Sequence, residues 1–343
     1  MAKLALVTGA CGFVGSNMVE LLVSEGFRVR ATDLESADRS AIESLDIEFI
    51  PSDLTRKESL KPLFDGVALV FHPGAIFNFS VPLDVIKKVN AEGTRNLLEA
   101  AKDHPIEHVI NWSTTGVYGL PPRKLQPITE ETPLAPANSY EISKKLQEDV
   151  AREYTRKYNM PITIIRPAPI YGPRSRYALG LLIPIIARCN ICCSSVFSRS
   201  RFPAVHVRDV VGAALFLSQK KETIGETYIV VDDQLLTVFE VPHVIGPRVG
   251  TYIYTTHIPT VVIKYLMRFV AAWSSLQAKY ITHRPPKVER DIASYLSHAF
   301  LFSNEKIKKA GYEFAYPDTQ KGIIDSIEWY KREGWIKCPQ PIH

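Results

Sequence analysis

Short apolar runs alternate with amphipathic stretches along the first two-thirds of the chain. "KLALVTG" predicts a strand, and "VGSNMVELLVSEG" predicts a helix that closes at Gly26. "RVRATD", "IEFIPSD" and "ALVFHPGA" predict three more strands. "DVIKKVNAEGTRNLLEAAKD" has helical spacing, "HVINWSTT" reads as a strand, and a long helix is expected from about Ser139 to Tyr158. "ITIIRPAPIYG" predicts a further strand. Strands alternating with helices form βαβ units, and strands this uniformly apolar are covered on both faces. "HVRDVVGAALFLSQ" as a helix and "ETYIVVD" as a strand fit back onto the same sheet. The expected class is therefore α/β, a doubly wound parallel sheet with a smaller mixed C-terminal unit. Residues 1–172, completed by about 206–233, are expected to form the first domain. Residues 173–205 and 234–343 are expected to form the second.

Composition narrows the field. The chain has 343 residues, 46% hydrophobic and 22% charged, which is ordinary for a globular protein with a sizeable core. Its net charge of +5 comes from scattered basic residues without aromatic interleaving, so no nucleic-acid partner is expected. Cys11, Cys189, Cys192, Cys193 and Cys338 form no even framework, which suits reduced thiols and a cytoplasmic protein. Cys189-x-x-Cys192 lacks a second ligand pair, so no metal is expected, and these cysteines read as small fillers in a helix. A strand beginning at Leu4 leaves no room for a secretory leader, and no apolar run is long enough to span a bilayer.

The chemistry begins at "TGACGFVG". Gly9, Gly12 and Gly15 lie between a strand and a helix, where backbone N–H groups, including those of Phe13 and Val14, meet a pyrophosphate. Asp33 ends the next strand and is placed to accept hydrogen bonds from an adenosine ribose. No Arg or Lys stands between it and Arg39, which favours NAD over NADP. The alternative is a tight structural turn. With its G-x-x-G-x-x-G spacing, the chain resembles the extended short-chain dehydrogenase/reductases, the NAD-dependent epimerase/dehydratase superfamily, from about residue 3 to 335. The resemblance implies a Rossmann fold with a C-terminal substrate domain. It implies that Asp53 and Leu54, in "SDLTRKESL", lie at the adenine, with a bare N-capping Asp as the alternative. It implies that His72, Gly74 and Ala75, in "VFHPGA", form the turn beside the nicotinamide ribose, although the family usually has alanine where Gly74 stands. Asn90 in "VNAEGTRNLLEAA" and Pro167 in "RPAPIYG" complete the implied cofactor site.

"SYEISKK" places Tyr140 and Lys144 on one helical face. A free phenol with a pKa of about 10 is a poor base near neutrality, and a neighbouring ammonium favours the phenolate. The expectation is that Lys144 lowers the Tyr140 pKa by ~3 units, worth ~4 kcal/mol, and also holds the cofactor ribose. In "NWSTTGVYG", Thr114 occupies the family's hydroxyl position, with Ser113 as the fallback. The resemblance thus implies catalysis by Thr114, Tyr140 and Lys144. Tyr140 exchanges the proton of a secondary alcohol, Thr114 orients its oxygen, and NAD carries the hydride. A solvated helix face for the Tyr–Lys pair and a hydroxyl-rich turn at Thr114 are the alternatives.

Two positions bear on the substrate. Sugar-nucleotide members have an Asn where Pro169 stands and a phosphate-binding Arg where Phe202 stands, with Arg199 and Arg201 close by. Residues 258–281 place Val261, Val262, Tyr265, Leu266, Phe269, Val270, Trp273 and Leu276 on one helical face. Lys264, Arg268, Ser275 and Lys279 lie opposite. Such a face is first expected to pack on a core or roof an apolar pocket, and otherwise to lie on an anionic membrane. The resemblance is nearest the 3β-hydroxysteroid and sterol dehydrogenases, which implies an apolar small-molecule substrate and a homodimer built through the long helices. The rival readings are a sugar-nucleotide epimerase or dehydratase and a non-catalytic NAD-binding scaffold or redox sensor.

Overall fold

A computed structural model describes residues 2–79, 81–277 and 301–336. Strand β1 (Leu4–Thr8) lies at the centre, followed by helix α1 (Phe13–Ser24), β2 (Arg28–Thr32), β3 (Glu48–Phe49) and helix α2 (Lys57–Leu60). The chain then returns to the other side of β1 with β4 (Val67–His72). Helices α3 (Leu83–Lys87) and α4 (Gly93–Ala101) follow, then β5 (His108–Trp112), α5 (Ser139–Tyr158) and β6 (Ile162–Pro167). After β7 (Ile170–Tyr171), α6 (Ala178–Ala187), β8 (Ile191–Ser195), β9 (Val205–His206) and α7 (Val207–Ser218), strand β10 (Thr227–Val230) rejoins the sheet beside β6. The remaining elements are α8 (Glu240–Val249), β11 (Tyr252–Thr256), α9 (Thr260–Gln277), α10 (Glu305–Lys309) and α11 (Thr319–Arg332).

The seven strands run in the order β10-β6-β5-β4-β1-β2-β3, and every pairing is parallel. Strand order reverses between β1 and β4, and ligands of open α/β sheets bind in the crevice at such a switch point. The sequence explains the burial: β1 and β5 are buried at every position because helices cover both faces. Burying each Leu, Ile or Val of these strands contributes roughly 1.5–3 kcal/mol. One apolar cluster packs α1 and α7 on one face, and a second packs α4 and α5 on the other. A third cluster, built from Tyr171, Ile183, Val244, Ile245, Ile323 and Tyr330, joins α6, α8 and α11. The pairs β8·β11 and β7·β9 form two small parallel sheets beside it.

Three expectations about local structure are corrected. The segment "DVIKKVNAEG" is not one regular helix, since Lys88–Glu92 forms a π-turn between α3 and α4. "ITIIRPAPIYG" forms two strands, β6 and the short β7. Cys192 and Cys193 lie on strand β8 rather than in a helix, and Cys189 follows α6 with its thiol exposed. Short apolar runs do not distinguish a strand from a helix by periodicity alone. Among the described residues, no group of three or more His, Cys, Asp or Glu could hold a metal. Cys338 and residues 278–281 lie outside the described residues.

Candidate active site

The glycine loop sits where the switch point requires it. Gly9 has φ +58°, and a Cβ there would come within 2.7 Å of Gly74 Cα. A Cβ on Gly74 would lie 2.8 Å from Thr8 Oγ1, which explains why glycine replaces the family's alanine. A Cβ on Gly15 would collide with the Gly9 carbonyl, so that glycine lets α1 pack close under the loop. Gly12 is the N-cap of α1, with no side-chain cap and no acidic residue in the first turn. The first N–H groups of the helix, at Phe13 and Val14, are therefore left for an anion. This cradle fits a dinucleotide pyrophosphate.

Asp33 closes one side. Its carboxylate accepts from Cys11 N at 3.0 Å and from Leu34 N at 2.8 Å. Both oxygens retain lone pairs for ribose hydroxyls. Arg39, the nearest following cation, pairs with Glu35 at 3.3 Å and stacks 3.9 Å from the Phe49 ring centroid. Asp53 holds its own turn, accepting from Thr55 N at 2.8 Å and Thr55 Oγ1 at 2.7 Å. It is not the N-cap of α2, which is Arg56. Leu54 packs against Gly93, and its carbonyl accepts from Asn96.

His72 is a buried tie. Thr94 Oγ1 donates to the Asn90 carbonyl at 2.6 Å, so His72 Nε2 must donate to Thr94, 2.8 Å away. His72 Nδ1 then accepts from Thr8 Oγ1 at 2.7 Å, and Thr8 accepts from Gly74 N at 3.2 Å. Burial, helped by the charge of Lys144, lowers the His72 pKa to about 3 and keeps the ring neutral. His72 therefore shapes the cradle through Thr8 and Gly74 rather than with a free ring nitrogen. Asn90 lies on the π-turn, fully buried. Its Oδ1 accepts from Ile76 N at 2.8 Å, and its Nδ2 donates to Ile76 O at 3.0 Å and to Ser143 Oγ at 2.9 Å. Ala75 is half-buried in the same loop. Pro167 ends β6 buried, with its carbonyl accepting from Thr115 Oγ1 at 3.3 Å.

Helix α5 begins in a reciprocal cap, with Asn138 accepting from Glu141 N and Glu141 accepting from Asn138 N. Tyr140 and Lys144 follow one turn apart, and both are buried. Thr114 lies close enough to the Tyr140 phenol to act on its titration, is half-buried, and accepts from Gly116 N at 3.1 Å. Ser113 is buried within the strand end. Burial pushes the phenol pKa well above its usual value, against the opposing effect of the Thr114 hydroxyl. The expected tuning by Lys144 is not present in this arrangement. Lys144 Nζ donates to Trp112 O and to Gln147 Oε1, each at 2.8 Å. Burial lowers its pKa to about 7, with Glu148 opposing.

Aromatic rings not expected from the sequence pack against Tyr140. Phe77 and Phe79 meet the Tyr140 ring edge-on at 4.8 and 5.6 Å between centroids, and Tyr177 meets Phe77 at 4.8 Å. Phe77 and Tyr177 are exposed. The alternating aromatics of "IFNFS", directly after "HPGA", are the signal that could have found them. Of the two substrate positions, Pro169 is exposed, while Phe202 packs against the third apolar cluster. Arg201 lies close enough to Glu240 to lower that carboxyl's pKa, and Arg199 Nε donates to Val196 O at 3.3 Å. Among the described residues nothing buries the face of α9: Val261, Tyr265, Phe269 and Trp273 are all exposed.

Comparison with known proteins places this geometry. The model of the NAD dependent epimerase/dehydratase family matches residues 5–231. Sterol demethylase protein B of Methylococcus capsulatus is 27% identical over 340 residues, covering 96% of this chain and 99% of its own length. The decarboxylating sterol-4-alpha-carboxylate 3-dehydrogenase of Bos taurus is 32% identical over 53% of this chain and 51% of its own length. A UDP-glucose 4-epimerase of Mycolicibacterium smegmatis is as similar, 33% identical over 49% of this chain and 56% of its own. The crystal structure of gox2253 superposes with a TM-score of 0.76 at 28% identity, covering 98% of this chain and all of that one.

Proposed function

The chain belongs to the NAD-dependent epimerase/dehydratase family, and on that premise we propose that it is an NAD-dependent dehydrogenase of apolar secondary alcohols. The substrate class is 3β-hydroxysteroid or sterol. The observation that carries this reading is the wall of Phe77, Phe79 and Tyr177 beside a Tyr140 phenol that has Thr114 close by. A flat apolar body packs well against such edges, whereas a hexose diphosphate finds neither an amide at Pro169 nor a cation at Phe202. The sterol-directed names of two relatives support the same reading.

The mechanism follows from the residues. When bound, NAD supplies the hydride acceptor. The N-terminus of α1 binds the anionic pyrophosphate, and Asp33 accepts from the ribose and disfavours a 2′-phosphate. Thr114 fixes the substrate oxygen beside the Tyr140 phenol. Tyr140 takes the hydroxyl proton in oxidation and returns it in reduction. Burial raises its pKa and keeps the phenol neutral in the protein alone. A positive nicotinamide ring and a Lys144 ammonium freed from Gln147 would favour oxidation by stabilising phenolate.

Purified protein given NAD⁺ and a 3β-hydroxysteroid should develop NADH absorbance. Its absence, together with turnover of UDP-glucose without added cofactor, would transfer the assignment to a sugar-nucleotide epimerase. The similarity of the mycobacterial epimerase keeps that alternative in play.

A further inference from the structure

Acidic side chains are absent from two long stretches of this chain. None occurs between Glu153 and Asp209 or between Glu240 and Glu289, although the whole chain carries 36 Asp and Glu against 41 Lys and Arg. These stretches supply α6, β8, β11 and α9. Arg188, Arg199, Arg248, Lys264 and Arg268 stand within them.

The same region exposes apolar surface. In the β8·β11 pair, Ile191 stands opposite Tyr252 and Cys193 opposite Tyr254. Strand alternation puts these four on one face, and all are exposed, whereas Ile253 between them packs inward. The end of β8 is tied to the segment entering α9, because Ser195 Oγ donates to Ile258 O at 2.6 Å. Along α9, Val261, Tyr265, Leu266, Phe269 and Trp273 form one face, with exposures from 55% to 68%. Arg188, just before β8, and Arg199, just after it, are exposed. Exposed apolar surface on this scale marks an interaction site.

We propose that α9, continued by the outer face of the β8·β11 pair, docks onto a lipid surface rich in anionic headgroups. The chemistry selects that occupant. An acid-free region repels no phosphate, the exposed Arg188 and Arg199 on either side of β8 offer guanidinium groups to headgroups, and the Trp, Tyr and Phe side chains suit the boundary between headgroup and acyl chain. The contact is peripheral, since among the described residues no helix is long and apolar enough to cross a bilayer. The docking site does not depend on the dehydrogenase reading.

The test is co-sedimentation of the full chain with phosphatidylcholine vesicles containing about one-third phosphatidylserine. The protein should pellet with these vesicles, and at least about tenfold less with phosphatidylcholine alone or in high salt, which screens the headgroups. Trp273→Glu and Phe269→Glu should each weaken partitioning at least about tenfold, and Arg188→Ala about fivefold. Thermal midpoints and NADH binding should stay at wild-type values, which separates lost docking from lost folding. Wild-type protein that remains in solution with both vesicle types overturns the proposal. So does undiminished pelleting of Trp273→Glu. A Trp273→Glu variant that turns a dimer into a monomer in analytical ultracentrifugation, with no vesicle binding by wild type, assigns the face to a second copy of this chain instead.

Discussion

Two buried ionisable centres ride on α5, one turn apart, and they are built in opposite ways. At Glu148 the charge is met by Arg166, which donates from Nε at 2.8 Å and from a terminal nitrogen at 2.7 Å. The other terminal nitrogen of Arg166 donates to the Tyr118 hydroxyl at 2.6 Å. Burial alone would raise the Glu148 carboxyl, but these bonds and the guanidinium charge hold it below its usual value. At Lys144, among the described residues, no carboxylate touches the ammonium, and its partners are a neutral carbonyl and a neutral amide. Its charge is correspondingly costly, and its pKa falls to about 7. A buried charge with a bidentate partner serves as a strut between α5 and β6. A buried cation among neutral acceptors stays responsive to whatever enters the site.

The contrast can be broken most sharply at the reacting phenol. Tyr140→Phe should lower turnover by about a thousandfold, ~4 kcal/mol of barrier, while NADH binding by fluorescence titration stays close to wild type. Persisting activity would remove Tyr140 from the acid–base role. Next in size is the strut. Arg166→Met should cost about 3–5 kcal/mol in urea unfolding, because it strands Glu148 without its partner. A loss below about 1 kcal/mol would mean that Arg152, 3.5 Å from Glu148, takes over the pairing.

Lys144 gives a third test, with a definite sign. Its folded pKa of about 7 lies below the usual 10.5, so between these values the unfolded chain binds more protons. Stability should therefore rise with pH from about 7 towards 10, and Lys144→Met should flatten that rise. Thermal midpoints measured across that range for both proteins decide it, and parallel curves would show that Lys144 is not desolvated as described. The smallest effect is expected at the cradle. Asp33→Ala should reduce the preference for NAD over NADP by roughly tenfold, ~1.4 kcal/mol. Unchanged cofactor selectivity would detach Asp33 from the ribose.

Much of this arrangement was legible in the sequence where a single local rule dominates. The bounds of α5 follow from an Asn138–Glu141 capping pair and an apolar period, and the glycine loop follows from strand, turn and helix in order. What escaped depends on contacts distant in sequence. Lys144 is spaced to serve Tyr140, yet Trp112 and Gln147 hold its ammonium. The sequence places His72 in the turn expected beside the nicotinamide ribose, and it does not show that the Thr8 and Thr94 hydroxyls hold both ring nitrogens. The apolar face of α9 gave the right helix and the wrong surroundings, because periodicity shows that a face exists and not what covers it. The ring wall brings together residues from the loop after β4, the start of α5 and the loop before α6, a meeting that no local pattern announces.

Asn90 carries one more implication. Its single amide grips both backbone groups of Ile76 and the hydroxyl of Ser143, so the loop bearing Phe77 is fastened to the helix bearing Tyr140. Ring and phenol thus share one anchor, and a guest that pushes Phe77 aside also pulls on the neighbourhood of the proton donor. Displacing either one would therefore have to strain the same buried amide.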